Sequence, residues 1–483
     1  MTHMTLPSLV PVLPELVLAV LIMALLMFGV FRGDSSTRAV SWLSIIAMVV
    51  TIVLVGMGPA EKTIAMNDMF VTDGFARVFK TLVLIGSSIA LILSFSYNRD
   101  HQMERFEYPI LILLGTLGMM LMISANDLMS LYVGLELQSL SLYVIAAFRR
   151  DDTRSTEAGL KYFVLGAVSS GMLLYGSSLI YGFSGSTNFA GIAKALVGVP
   201  HAQVSIGLIT GMIFLVAGLA FKVAAVPFHM WSPDVYEGVP TPVTAFFAAA
   251  PKVAAVALFL RAMLSPFGDL VTDWRQVIIF ISVASMLLGS FAAINQRNIK
   301  RLMAYSSIGH VGFALLGLAA GTQEGVRGVV VYMTIYMVMT LGTFACILAM
   351  KRENGMVETI DDLAGLGRTH PAMALAMGIF MFSLAGIPPL AGFFAKFYVF
   401  MAAVNSGLYI LAVIGMLASC VGAFYYLRVV KVMYFDQPVG AFAPIRGELA
   451  LVFGATGLFT LFFFVYPAPI MAAAETAARA LLP

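Results

Sequence analysis

Apolar runs of about 20 residues, the length a helix needs to cross a bilayer, recur along almost the whole chain with short polar stretches between them. Read by that criterion they predict about 14 spans. These begin near Glu15, Ala39, Phe75, Tyr108, Asp127, Glu157, Val204, Thr241, Arg275, Arg301, Gly325, Ala372, Leu408 and Leu449. The first run already opens the membrane region, so no signal peptide ahead of a soluble domain is expected. The longest polar stretch, KRENGMVETIDDLAGLGRTH (Lys351 to His370), reads as a short amphipathic linker.

Composition agrees. The chain is 60% hydrophobic and 11% charged, where a soluble domain carries about 25% charged residues, and its mean hydropathy is +0.95. The partner this implies is the lipid bilayer. A net charge of +3 gives no reason to expect nucleic acid. Lys and Arg are uneven: roughly 16 of the 28 fall in loops after odd-numbered spans and about six on the other side. Cytoplasmic loops carry that excess, so both termini are expected on the opposite side.

Redox and nucleotide chemistry find no foothold. Cys346 and Cys420 each stand alone in an apolar run, and of six histidines only His310 lies well inside a predicted span. That leaves no iron–sulfur ligand set and no paired haem histidines. Neither a phosphate loop nor a dinucleotide fingerprint occurs. No cofactor and no metal is expected in this chain, and its driving energy must arrive from elsewhere.

Charges inside the apolar runs are the candidate chemistry: Glu136, Lys161, Lys222, Lys252 and Lys396. Each costs about 2.5–3.5 kcal/mol at the centre of a membrane helix, so several together need a packed interior or a watered path. Prolines accompany them. Pro227 cannot donate to the Val223 carbonyl, Pro251 precedes Lys252, and Pro388 and Pro389 free the carbonyls of Leu384 and Ala385. Broken helices are therefore expected in spans 7 and 12, with the freed carbonyls finding partners in a cavity.

An internal repeat organises these charges. DLMSLYVGLE (Asp127 to Glu136) resembles RLMAYSSIGH (Arg301 to His310), an offset of 174 (310 − 136). Glu136 to Lys222 and His310 to Lys396 both span 86 residues (222 − 136 and 396 − 310). The offset covers five spans, an odd number, so the second copy runs through the membrane in the opposite sense, an arrangement common in transporters. The expected fold is an all-α polytopic membrane protein of about 14 transmembrane helices with two inverted five-helix repeats. Its expected parts are an N-terminal three-helix segment (1–107), a first repeat (108–265), an inverted second repeat (266–435) and a C-terminal helix (436–483). Equal spacing pairs Lys222 with Lys396, and Glu136 with His310.

Four segments carry a resemblance to a known family: AFKVAAVPFHMWSPDVYEGVPTPVTAFFAAAPK (Ala220 to Lys252), NQRNIKRLMAYSSIGHVGF (Asn295 to Phe313), GIPPLAGFFAKF (Gly386 to Phe397) and EAGLKYFVLGA (Glu157 to Ala167). Over residues 108–435 the chain resembles the antiporter-like membrane subunits of bacterial respiratory complex I, the proton-translocating NADH:quinone oxidoreductase. Lys396 stands where the M-type member has a glutamate, and the chain lacks the long lateral-helix extension of the L-type member.

The resemblance implies a translocase subunit of the bacterial inner membrane without a redox centre of its own. NADH, FMN, iron–sulfur clusters and quinone are then expected in partner subunits. Its expected neighbours are an M-type antiporter-like subunit and a small K-type subunit. Glu136 and Lys222 match the family's ion pair, Lys252 its central lysine, Lys396 its terminal lysine near the exit, and Lys161 its sixth-span lysine. His310 reads either as a relay group or as a hydrogen-bonded core histidine. A subunit of a multisubunit cation/proton antiporter or membrane-bound hydrogenase would share most of these motifs. A passive scaffold holding its neighbours in the membrane is the remaining alternative.

Overall fold

A computed structural model describes residues 9–59, 61–198, 203–352 and 355–482; the outermost residues of both termini lie outside them. Among the described residues twenty α-helices follow in order. The first six are α1 (Leu13–Arg32), α2 (Thr37–Met57), α3 (Gly74–Asp100), α4 (Glu107–Ile123), α5 (Leu128–Ala146) and α6 (Thr153–Ser184). Then come α7 (Phe189–Leu196), α8 (Ile206–Val223), α9 (Trp231–Gly238), α10 (Thr241–Ala248), α11 (Ala250–Leu264), α12 (Val271–Ile294), α13 (Ile299–Ala320) and α14 (Gln323–Leu348). The last are α15 (Leu366–Thr369), α16 (Pro371–Ala385), α17 (Ala391–Asn405), α18 (Tyr409–Phe435), α19 (Gly447–Phe462) and α20 (Ala468–Leu481). Among the described residues ten helical stretches are long and apolar enough to cross a membrane, and four shorter apolar helices accompany them. The architecture is that of an all-α polytopic membrane protein.

Short polar side chains start many of these helices by accepting from first-turn amides that have no intrahelical partner. Asp73 does so for α3, Asp127 for α5, Asp152 for α6, Asn298 for α13 and Thr322 for α14. Every residue of α10 and α11 is buried, and α13 and α14 are almost as enclosed, whereas α2, α6 and α18 keep one face open. The helices carrying Lys252 and His310 are thus the innermost.

The first helix of spans 7 and 12 stops where the prolines require. α8 ends at Val223 and α9 begins only at Trp231, while α16 ends at Ala385 and α17 begins at Ala391. Span 8 is interrupted as well, at Ala249, one residue before α11.

The repeat is present in the backbone, with a register other than the one the sequence strings suggest. At the start of α5, Leu128 N donates to Thr187 O (2.9 Å) and Phe189 N to Asn126 O (3.0 Å). At the start of α13, Ile299 N donates to Glu358 O (2.8 Å) and Ile360 N to Arg297 O (2.9 Å). The offset is 171 in each case (299 − 128, 360 − 189). The preceding helix crossings repeat at the same offset. A Cβ on Gly118 would lie 2.4 Å from Gln138 N and 2.8 Å from Gly134 O, and one on Gly289 would lie 2.5 Å from Gly309 N and 2.8 Å from Tyr305 O. At the breaks the offset is 162. Ala225 N bonds Ala220 O and Ile387 N bonds Phe382 O (387 − 225), and cis prolines follow at 227 and 389.

Two expected pairings are therefore corrected. His310 corresponds to Ser139 (310 − 171), one helical turn from Glu136, and Lys396 corresponds to Asp234 (396 − 162) rather than to Lys222. Lys222 precedes its break and Lys396 follows its own. The matched spacing of 86 arises because the first copy has nine more residues between the two landmarks (225 − 189 against 387 − 360). Those nine offset the placement of the lysines on opposite sides of their breaks.

Lys351 to His370 is also more than a linker. Lys351–Arg352 pairs antiparallel with Gly355–Met356, and Asn298 bridges to Thr359. Glu358 reaches the buried Lys300 at 2.8 Å.

Candidate functional site

The carbonyls freed by the prolines are taken up by lysine amines. Lys252, near the N-terminus of α11 and 2% exposed, donates its Nζ to Val223 O at 3.0 Å. Lys396, on α17 and 7% exposed, donates to Leu384 O at 3.1 Å and to Ala385 O at 2.9 Å, with Ser419 Oγ at 2.8 Å. By the repeat register Val223 and Ala385 are equivalent (385 − 223 = 162). Each broken helix thus ends on one buried amine. Sequence spacing pairs the wrong lysines; the equivalent partners of the two breaks are Lys252 and Lys396.

Position also explains what is absent. Among the described residues neither amine has a carboxylate within ion-pair distance. Lys396 Nζ lies 4.9 Å from the centre of the Phe313 ring and Lys252 Nζ 5.9 Å from that of Tyr236, contacts a cation finds favourable.

Glu136 and Lys222 are near neighbours without touching. Lys222 donates to Ser139 Oγ (2.6 Å) and reaches Tyr143 Oη at 3.5 Å, while Glu136 accepts from Ser170 Oγ at 2.7 Å. A direct ion pair between them is not formed in this state; serine hydroxyls hold each separately.

Lys161 is displaced from the buried row altogether. It pairs with Glu157 (2.8 Å) and Asp234 (2.9 Å), and Arg301 joins Asp234 (2.8 Å) and Glu237 (3.0 Å). Its side chain is 42% exposed. Asp234 links this outer cluster to α9.

His310 is buried in a hydroxyl network. Its Nδ1 lies 2.6 Å from Tyr332 Oη and its Nε2 3.1 Å from Tyr426 Oη, which contacts Ser306 Oγ at 2.5 Å. Tyr336, whose ring centre lies 5.3 Å from that of His310, donates to Ser307 Oγ at 2.7 Å. Tyr332, Tyr336, Tyr426 and Ser419 are absent from the sequence-based candidates. Tyrosines on apolar helices look like core residues, and only the repeat register places Ser307 opposite Glu136. Among the described residues no group of three or more His, Cys, Asp or Glu side chains could hold a metal.

Buried amines on broken helices, set in two inverted copies of one helical unit, define an antiporter-type membrane subunit. Residues 125–422 match the family model described as NADH:quinone oxidoreductase/Mrp antiporter, transmembrane. The chain belongs to that family, among the members called NADH-quinone oxidoreductase subunit N. One such protein from Parvibaculum lavamentivorans is 61% identical over 482 residues, 99% of both chains. Another from Methylobacterium nodulans is 59% identical over 480 residues, again 99% of both. Among solved structures, a chain of respiratory complex I from Thermus thermophilus is similar with a TM-score of 0.82 and 31% identity, covering 96% of this chain and 100% of that one. A chain of the Mrp complex from a Dietzia species shares the fold, with a TM-score of 0.85 and 22% identity, over 98% of both.

Proposed function

We propose that this chain is the proton-translocating N-type membrane subunit of an NADH:quinone oxidoreductase, moving protons along Glu136, Lys222, Lys252, His310 and Lys396. The observation that carries the reading is the pair of enclosed amines, Lys252 and Lys396, each seated on the carbonyls of a broken helix. Backbone carbonyls accept from an amine in either protonation state, so they hold its position without fixing its charge. At Lys396 this balance is complete. The ammonium donates three times, to two carbonyls and Ser419 Oγ; the neutral amine keeps both carbonyl bonds and receives the serine proton on its lone pair.

Between the two lysines the hydroxyls of Tyr336, Ser307, Tyr332 and Tyr426 surround His310. Each can donate or accept, and the imidazole can exchange one nitrogen's proton for the other's. The Glu136–Lys222 pair, separated here by Ser139 and Ser170, closes when Lys222 turns toward the carboxylate and opens when it releases its proton. Lys161 and Asp234 form an outer electrostatic cluster against the α9 half of the broken span. The reading also includes the four parts with boundaries at residues 107, 265 and 435. It takes in quinone reduction in other subunits as the drive, and NADH, FMN, iron–sulfur and quinone sites in those subunits. M-type and K-type subunits are its neighbours, and both termini lie on the periplasmic side of a bacterial inner membrane. The relatives at about 60% identity, all called subunit N, support this reading over that of a cation/proton antiporter, whose solved relative is similar in fold.

The test is proton pumping in inverted membrane vesicles holding the assembled complex. Replacing Lys252 or Lys396 with methionine is expected to suppress pumping with the complex still assembled. Native pumping in both variants would leave the scaffold alternative.

A further inference from the structure

On the Lys/Arg-rich face the ends of α2, α3 and α19 enclose a cavity of about 310 Å³ that shares no lining residue with the lysine row. We propose that it binds the headgroup of a phospholipid carrying both a phosphate and an ammonium, as phosphatidylethanolamine does, with one acyl chain laid along α2.

Two guanidinium groups line it. Arg38, in the first turn of α2, has no ion-pair or hydrogen-bond partner among the described residues, and Arg99 meets Glu104 only at 3.7 Å. Such groups bind phosphate oxygens through paired, charge-assisted hydrogen bonds. Asn98 also lines the cavity. It is 6% exposed, yet its Oδ1 has no partner among the described residues. A buried amide oxygen is costly to leave unbonded, and an ammonium or glycerol hydroxyl beside it would satisfy it. Glu448 and Glu104 complete the wall. Two arginines set against two carboxylates suit a zwitterion better than a purely anionic headgroup.

The same helix supplies the acyl track. Trp42 lines the cavity and is 49% exposed, as the aromatic belts at membrane interfaces are. Ile46, Val49, Val50 and Val53 continue from it on one face of α2, all exposed. From Trp42 to Val53 the helix rises about 16 Å, about one leaflet's hydrocarbon depth. A free phosphate would have no use for that stripe, which assigns the site to a lipid.

The experiment uses the assembled complex, delipidated in detergent and offered phosphatidylethanolamine and phosphatidylglycerol, with retained lipids counted by native mass spectrometry. Arg38→Gln changes an exposed, unpaired side chain and is expected to retain phosphatidylethanolamine about tenfold more weakly than the native complex. Glu448→Gln is expected to keep a phospholipid but lose the preference for phosphatidylethanolamine. Equal retention in native and Arg38→Gln complexes would overturn the proposal, as would a native preference for phosphatidylglycerol. Displacement of the lipid by excess inorganic phosphate would also overturn it and mark a soluble-anion site.

Discussion

Lys222 sits between two hydroxyls, whereas Lys396 bridges two carbonyls and one hydroxyl. That difference gives each residue its own expected response to substitution. At Lys396 the serine matters most when the amine is neutral, because only Ser419 can then donate to the lone pair. Ser419→Ala removes that donor and leaves both carbonyl bonds. Pumping in vesicles is expected to fall about threefold to tenfold, the worth of one such bond, while Ser419→Thr keeps the native rate. Equal rates in all three would show that the hydroxyl is not used. At Lys222 the proposed relay requires the charge itself to change. Arginine holds its proton in proteins, so Lys222→Arg is expected to suppress pumping as far as Lys222→Ala does. A clearly higher rate in the arginine variant would mean that a fixed positive charge suffices there. Gly386 adds a steric condition. Its φ is +90°, and a Cβ would stand 3.0 Å from Lys396 Cδ, so the close of α16 and the seat of that amine depend on the same missing side chain.

Helix α3 is fastened to the interior by a buried clamp just outside its first turn. Asp73 accepts from Arg261 through both oxygens at 2.9 Å, and its Oδ1 also caps α3 at Ala76 N (2.7 Å). Burial pushes the Asp73 carboxyl up, but the Arg261 guanidinium prevails and holds it below the usual carboxylate range. The stabilisation from this lowered value is fully present above the unfolded value, about 3.9, and is lost as pH falls through the folded one. Thermal unfolding of the purified complex is therefore expected to show an acid-sensitive step below about pH 4 that Arg261→Met lacks. That variant leaves a buried carboxylate unpaired and is expected to cost about 3–5 kcal/mol at neutral pH; adding Asp73→Asn, which keeps a capping side chain, should recover much of it. Helices and breaks such as these were legible in the sequence to different depths. Apolar runs mark the spans because lipid admits little else, and the four-residue rule at Pro227, Pro388 and Pro389 names the carbonyls that end α8 and α16. The amines seated on them were not legible as partners, since Lys252 reaches Val223 across 29 positions and a helix break. Lys161 misleads because its neighbours on α6 are largely apolar while its own half-exposed side chain meets Glu157 and Asp234. The repeat register failed for a different reason: a nine-residue difference in loop length hides in a string comparison but not in backbone hydrogen bonds.

Across the whole molecule the two breaks lie in opposite copies of the repeat, and the proposed relay makes the residues of both copies one series rather than two. Lys252 lies on α11, Lys396 on α17, and His310 with Tyr332 lies on the enclosed helices α13 and α14. Two independent half-channels, one per copy, would each keep working when the other is cut. Their rates would add, so each single variant would keep the other path's share and only the double variant would lose both. A single series behaves differently: once one station is removed, removing a second costs little more, as with catalytic groups that act as a unit. The expected outcome is that Lys252→Met and Lys396→Met each suppress pumping strongly, and that the double variant is no worse than the weaker single. Assembly must be confirmed by complex content in the same membranes, since both lysines also hold backbone carbonyls and their loss loosens α8 and α16. His310→Gln gives the complementary measurement. Glutamine keeps hydrogen bonds to Tyr332 and Tyr426 but cannot take up or hand on a proton, so a core histidine of purely structural use would tolerate it. In a single series it should slow pumping as much as either lysine variant and add nothing to them. Partial losses in the single variants that sum in the double, together with native pumping in His310→Gln, would divide the molecule into two separate paths and leave the hydroxyl network as packing.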